Sequence, residues 1–159
     1  VTLEDLKYEH LLGRPFTGLG RDDCLKLFRD FFKDNFDISI RDYARPHDWS
    51  SDELDLMRLC YEREGFDQIT DWRVKDLRPA DVLCVAVGEA NPNHFAIFVG
   101  NDTIVHHLYG KMSRAEPFRD FWRNQTAFIL RHPAVPDLRP TYPDTTIKDL
   151  LRARNDPAA

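Results

Sequence analysis

The residues best suited to chemistry in this chain are Cys24, His94 and the neighbouring pair His106-His107. Cys24 ends the run Gly18-Leu19-Gly20-Arg21-Asp22-Asp23-Cys24, and Leu27, Phe28 and Phe31 recur behind it at i+3, i+4 and i+7. That spacing predicts an amphipathic helix over 24–36, with Asp22 or Asp23 as its N-cap. A thiol at a helix N-terminus lies at the positive end of the macrodipole, which favours the nucleophilic thiolate. The other two cysteines read differently. Cys60 falls in a second predicted helix and Cys84 in the apolar run 82–87, so both are expected to pack. Three cysteines without a CxxC pair give neither a disulfide framework nor a structural zinc site, and imply folding in a reducing compartment.

A cysteine nucleophile needs a base that takes its proton and later returns it to the leaving group, and imidazole is matched to that task. Of the six histidines, His10, His47 and His132 sit at element ends or in a polar loop and read as surface or capping residues. His94 opens a strongly apolar strand directly after a loop, where a side chain can project into a cleft. A base also needs an orienting group. His106 and His107 lie on the next strand, and alternation sends only one of them to the face of His94. A three-residue hairpin loop selects His106 and a two-residue turn selects His107. A reading of Cys24, His94 and His106 as metal ligands is weaker, because no carboxylate or further thiol completes the set; no cofactor is expected.

These residues need a scaffold, and the pattern predicts an α+β domain. Helical rhythm covers 3–12 and stops at Gly13-Arg14-Pro15. A second helix, capped by Ser50 or Ser51, runs over 52–64 and ends at Gly65. Strands are predicted over 82–87, 94–99 and 103–108, with Gly100-Asn101-Asp102 as the hairpin turn, and further strands over 110–114 and 127–131. A short helix covers 117–123. Helices followed by an antiparallel meander place residues 1–132 in one domain. Residues 133–159, with Pro133, Pro136, Pro140 and Pro143, read as a proline-rich arm carrying a short helix over 147–152. With 159 residues, 42% hydrophobic, the chain can bury a sizeable core. A formal charge of −5 leaves no basic footprint for nucleic acid. No apolar run reaches the ~18 residues of a membrane span, and 2–12 lacks the apolar core of a secretory leader.

Several stretches in this order resemble the NlpC family of papain-like cell-wall peptidases, closest to the tail-assembly members of long-tailed phages. They are Gly13-Arg14-Pro15-Phe16, Gly20-Arg21-Asp22-Asp23-Cys24, Leu77-Arg78-Pro79-Ala80-Asp81-Val82-Leu83, Asn93-His94-Phe95-Ala96-Ile97-Phe98-Val99-Gly100, Ile104-Val105-His106-His107-Leu108 and Leu130-Arg131-His132. The resemblance implies a fold with the cysteine helix packed on an antiparallel sheet that carries both histidines. It implies Cys24 as nucleophile, His94 as general base and acid, and His106 as the residue orienting His94, with Asp23 and Phe16 beside the oxyanion and substrate. It implies peptidoglycan peptides as substrate, hydrolysed through a thioester, and other tail-tip proteins as partners. The implied location is the virion tail tip, after synthesis in the host cytoplasm. The alternative on the same fold is a structural tail-tip subunit with little peptidase activity. Three features depart from the family's habit. Leu25-Lys26 follows the cysteine where a small residue and Gly are usual. Phe16 stands where many members have Tyr, so backbone N–H groups near Cys24 must serve the oxyanion. Ala80 replaces a Gly.

Overall fold

The computed structural model describes residues 1–18, 21–43 and 56–140, with side chains at 56 and 58–60 outside the description. Among the described residues, three α-helices and one six-stranded antiparallel sheet form the α+β architecture expected from the sequence. The helices are α1 (Cys24–Phe36), α2 (Leu56–Glu64) and α3 (Asp120–Gln125). The strands are β1 (Asp67–Ile69), β2 (Val82–Val85), β3 (His94–Gly100), β4 (Thr103–His106), β5 (Arg114–Pro117) and β6 (Thr126–Arg131), in the spatial order β1-β6-β2-β3-β4-β5.

Helix α1 forms where its periodicity and cap place it. Asp23 is the N-cap, and its Oδ1 accepts the backbone N–H of Lys26 at 2.9 Å. Lys26 pairs with Asp30 one turn later at 2.6 Å. Asp37 closes the helix in the left-handed region, φ 55°. The buried stripe of Leu27, Phe28, Phe31 and Phe32 lies against β3 and β4. Phe28 stacks on Phe95 of β3 with centroids 5.1 Å apart and meets Phe32 edge-on at 5.0 Å; Phe32 meets Phe66 at 5.2 Å. These rings, with Val82, Cys84, Ile97, Val99, Val105 and Leu130, form the main core. Opposite-facing residues of the same strands (Leu83, Val85, Ala96, Ile104, Ile129) form a second cluster with Phe118 and Trp122.

Several expectations are corrected. The single helix over 3–12 is instead two 3₁₀ turns, Leu3–Asp5 and Glu9–Leu11. Between them Leu6 is extended, and Asn35 of α1 takes both the N–H and the carbonyl of Lys7, so those groups cannot join a helix. The strand expected over 110–114 begins only at Arg114, because 108–111 turns back, with Lys111 N–H donating to the Leu108 carbonyl. Strand β4 stops at His106, and the short helix is shifted to 120–125. The sheet is not a simple meander. β6 inserts between β2 and the short strand β1, which the sequence pattern did not reveal. The cap of the second helix and its residues 52–55, the 44–50 loop with His47, and the helix expected over 147–152 lie outside the described residues.

One buried carboxylate fixes the sheet's centre. Asp81, 1% exposed, accepts the Arg78 N–H and both Nε and an outer nitrogen of Arg131, each at 2.7 Å. It thereby ties the entry of β2 to the end of β6. Just before it, Ala80 holds φ 74°, the conformation that a glycine takes without strain. Past His132 the chain stays on the body: Leu138 is buried in the main core and Asp137 lies 3.4 Å from Arg78.

Candidate active site

His94 is the first residue of β3, and the loop before it is locked. Asn93 accepts the Val87 N–H at 2.8 Å and returns a hydrogen bond to the Val87 carbonyl at 2.9 Å. The side chain therefore enters the strand from a fixed base. Its Nε2 lies 3.0 Å from Nδ1 of His106, both rings buried. The hairpin between the two strands explains why sequence periodicity left His106 and His107 open. The turn itself is two residues, Asn101 and Asp102, both with positive φ (49° and 53°). That alone would select His107. A bulge between Phe98 and Gly100 adds one residue to β3 and restores the pairing Ala96–His106. His106 thus shares a face with His94, while His107 is directed elsewhere and holds the Lys111 carbonyl through Nε2 at 3.1 Å.

Behind His106 stands a residue that the sequence reading missed. Oε1 of Glu116, on β5, lies 2.5 Å from His106 Nε2. Arg114 donates to the same oxygen through Nε at 3.2 Å and a terminal nitrogen at 3.0 Å. The register pairs Ile104 with Glu116 and His106 with Arg114, so the carboxylate reaches the imidazole diagonally. Trp122 of α3 covers the pair, its ring 4.6 Å from His106 and 6.0 Å from His94. The signal for Glu116 was present as the alternation Arg114-Ala115-Glu116, but the expected strand ended at 114 and a helix was expected from 117. Pro117 is admitted because β5 is an edge strand.

Burial governs the electrostatics. Desolvation first, then the neighbouring His106 and His107, push the His94 pKa down from 6.5 to about 3. His106 is also lowered, burial outweighing the attraction of Glu116. His107 is lowered by burial against the opposing pull of the Lys111 carbonyl, Asp23 and Asp22. Both imidazoles of the pair are therefore neutral near pH 7, the form that can accept a proton.

Cys24 is the first residue of α1 and is half-buried, packed at the margin of the main core. Helix α1 packs on β3 and β4, and the carboxylates of Asp22 and Asp23 at its start act on His107 to raise its proton affinity against burial. Alternation turns His94 and His106 toward the Trp122 face, whereas Cys24 borders the α1 face. Asp23 is buried as the helix cap. Phe16 is half-buried beside this end, its ring 5.8 Å from His107 and 4.8 Å from Tyr109. Its loop is anchored through Ser113, which exchanges backbone hydrogen bonds with Gly13 and Arg14 and donates its hydroxyl to the Leu11 carbonyl. His10 pairs with Asp34 on the surface and His132 accepts the Ala134 N–H, as their positions predicted.

The sequence profile described as the NlpC/P60 family matches residues 13–131. The chain is 34% identical over 125 residues to the tail tip assembly protein K of Escherichia phage lambda, covering 79% of this chain and 60% of that protein. It is 28% identical over 127 residues to the tail tip assembly protein K of Escherichia phage N15, covering 79% of this chain and 50% of that one. The chain thus aligns with only half to three-fifths of the length of these relatives.

Proposed function

The chain belongs to the NlpC/P60 family, and from that premise we propose that it is a cysteine endopeptidase acting on peptide bonds of peptidoglycan in the setting of a phage tail tip. The observation that carries the reading is the buried hydrogen bond between His94 Nε2 and His106 Nδ1, on the two strands against which the helix that begins at Cys24 packs. In this reading Nδ1 of neutral His94 takes the Cys24 proton as sulfur attacks the scissile carbonyl carbon. Charge developing on the carbonyl oxygen is met by backbone N–H groups at the head of α1, reinforced by the helix dipole. The C–N bond then breaks, the amine leaves with the proton held by His94, and a thioester remains on Cys24. Water attacks the thioester, gives a proton to His94, and the proton returns to sulfur as the carboxylate product departs. His106 keeps the ring of His94 in place throughout. Asp23 acts by capping the helix that presents Cys24, and Phe16 lines the substrate side.

A second reading on the same fold is a structural subunit of the tail tip with other tail proteins as partners, in keeping with relatives named as tail tip assembly proteins. One assay separates the two. Purified peptidoglycan is incubated with the wild-type chain and with Cys24→Ala. The peptidase reading expects new amino termini with the wild type and none with the variant. Release by neither protein, or equally by both, removes the peptidase reading and leaves the structural one.

A further inference from the structure

We propose that Glu116 is a positioning residue that fixes the proton on Nε2 of both buried imidazoles, leaving the lone pair of His94 on Nδ1. Its catalytic meaning rests on the peptidase reading above; the proton arrangement itself rests on geometry alone.

The order of the chain is Glu116 Oε1, His106 Nε2, His106 Nδ1, His94 Nε2. Arg114 donates twice to the same Oε1 that faces His106. An oxygen already receiving two guanidinium N–H groups is an acceptor and has no room for a proton of its own. The His106 Nε2–H must therefore donate to it. A neutral imidazole has one donor and one acceptor, so His106 Nδ1 accepts, and the group facing it, His94 Nε2, must carry the hydrogen. Nδ1 of His94 is then the basic nitrogen. Without the carboxylate either sense of the relay satisfies the inner hydrogen bond, and in the reversed sense Nδ1 of His94 is protonated and cannot act as a base. Among the described residues, the charged and titratable groups acting on the pair include Glu116 and Arg114 from β5 and His107 beyond the end of β4, and the proposed mechanism adds the Cys24 thiol at the head of α1.

The test is long-range ¹H–¹⁵N NMR of the full chain labelled at histidine nitrogen, near pH 7.5. For the wild type the expected result is an unprotonated Nδ1 and a protonated Nε2 on both His94 and His106. Glu116→Leu, which removes the acceptor, is expected to populate the reversed tautomer at His94. It is also expected to lower kcat on peptidoglycan peptides by about 10-fold or more, with little change in KM, since an orienting group that fails to hold the tautomer costs rate rather than binding. A wild-type spectrum with the proton on His94 Nδ1 overturns the proposal. So does a Glu116→Leu spectrum identical to wild type. The wild-type spectrum decides even if the variant does not fold. Failure of the wild type to hydrolyse peptide, with the expected tautomers present, would count against the peptidase reading and not against the proton arrangement.

Discussion

The two faces of the sheet are built on opposite plans. Toward α1 the strands present Phe95, Ile97, Val99 and Val105 to Phe28, Phe31 and Phe32, an all-apolar interface. Toward α3 the same strands present His94 and His106, joined to Glu116 and roofed by Trp122. The first face supplies stability through area and ring packing. The second buries polar groups that must all be satisfied, at a cost in desolvation visible in the lowered affinity of both imidazoles for protons. The difference teaches that the proposed site lies on the face where buried polar groups sit within an apolar cluster and must find partners there.

The largest effect should come from the apolar face. Phe28→Ala removes a ring that touches Phe32, Phe66 and Phe95, and is expected to destabilise the chain by about 3–5 kcal/mol, read by chemical denaturation. The polar face is probed by pH. His94 has a folded pKa near 3, below its unfolded value of 6.5, so the unfolded chain binds the extra proton between those values. Stability linked to His94 is complete above pH 6.5 and lost progressively as pH falls toward 3; His106 acts in the same direction. The double substitution His94→Leu, His106→Leu should flatten that acid dependence in a denaturation series. Since both partners of a buried polar pair are replaced together, it should change stability near pH 7.5 by only about 1 kcal/mol in either direction. A loss as large as that of Phe28→Ala would erase the distinction between the faces.

Smaller effects sharpen the picture at the helix start and the sheet entry. Asp23→Ala should cost about 1 kcal/mol through the lost cap, while Asp23→Asn should recover most of it, as read by thermal melting. Ala80→Gly should be neutral or stabilising by up to about 1 kcal/mol, since it relieves a left-handed alanine at the expense of chain entropy.

Much of the site was legible because its parts obey local rules. The stripe behind Cys24 and an acidic cap located α1, and the apolar run after Asn93 located β3. What was hidden depended on non-local geometry. The bulge between Phe98 and Gly100 decided His106 over His107, and no periodicity marks a bulge. Glu116 was concealed because its strand runs from 114 to 117, past the expected end at 114 and into the expected helix, with Pro117 tolerated on an edge strand. The insertion of β6 between β1 and β2 is a matter of topology, invisible to a pattern read along the chain. The helical rhythm of the first residues misled because Asn35, far along the chain, claims the backbone of Lys7.

The most direct test of the central claim is to trap the acyl intermediate. Chain and peptidoglycan stem peptide are mixed, quenched in acid at short times, and mapped by mass spectrometry. The account predicts a thioester on the peptide that contains Cys24, formed about 10²-fold or more slowly in His94→Ala, where the general base is gone. An adduct absent from Cys24 while the stem peptide is still cleaved, or one that forms equally fast without His94, would contradict it.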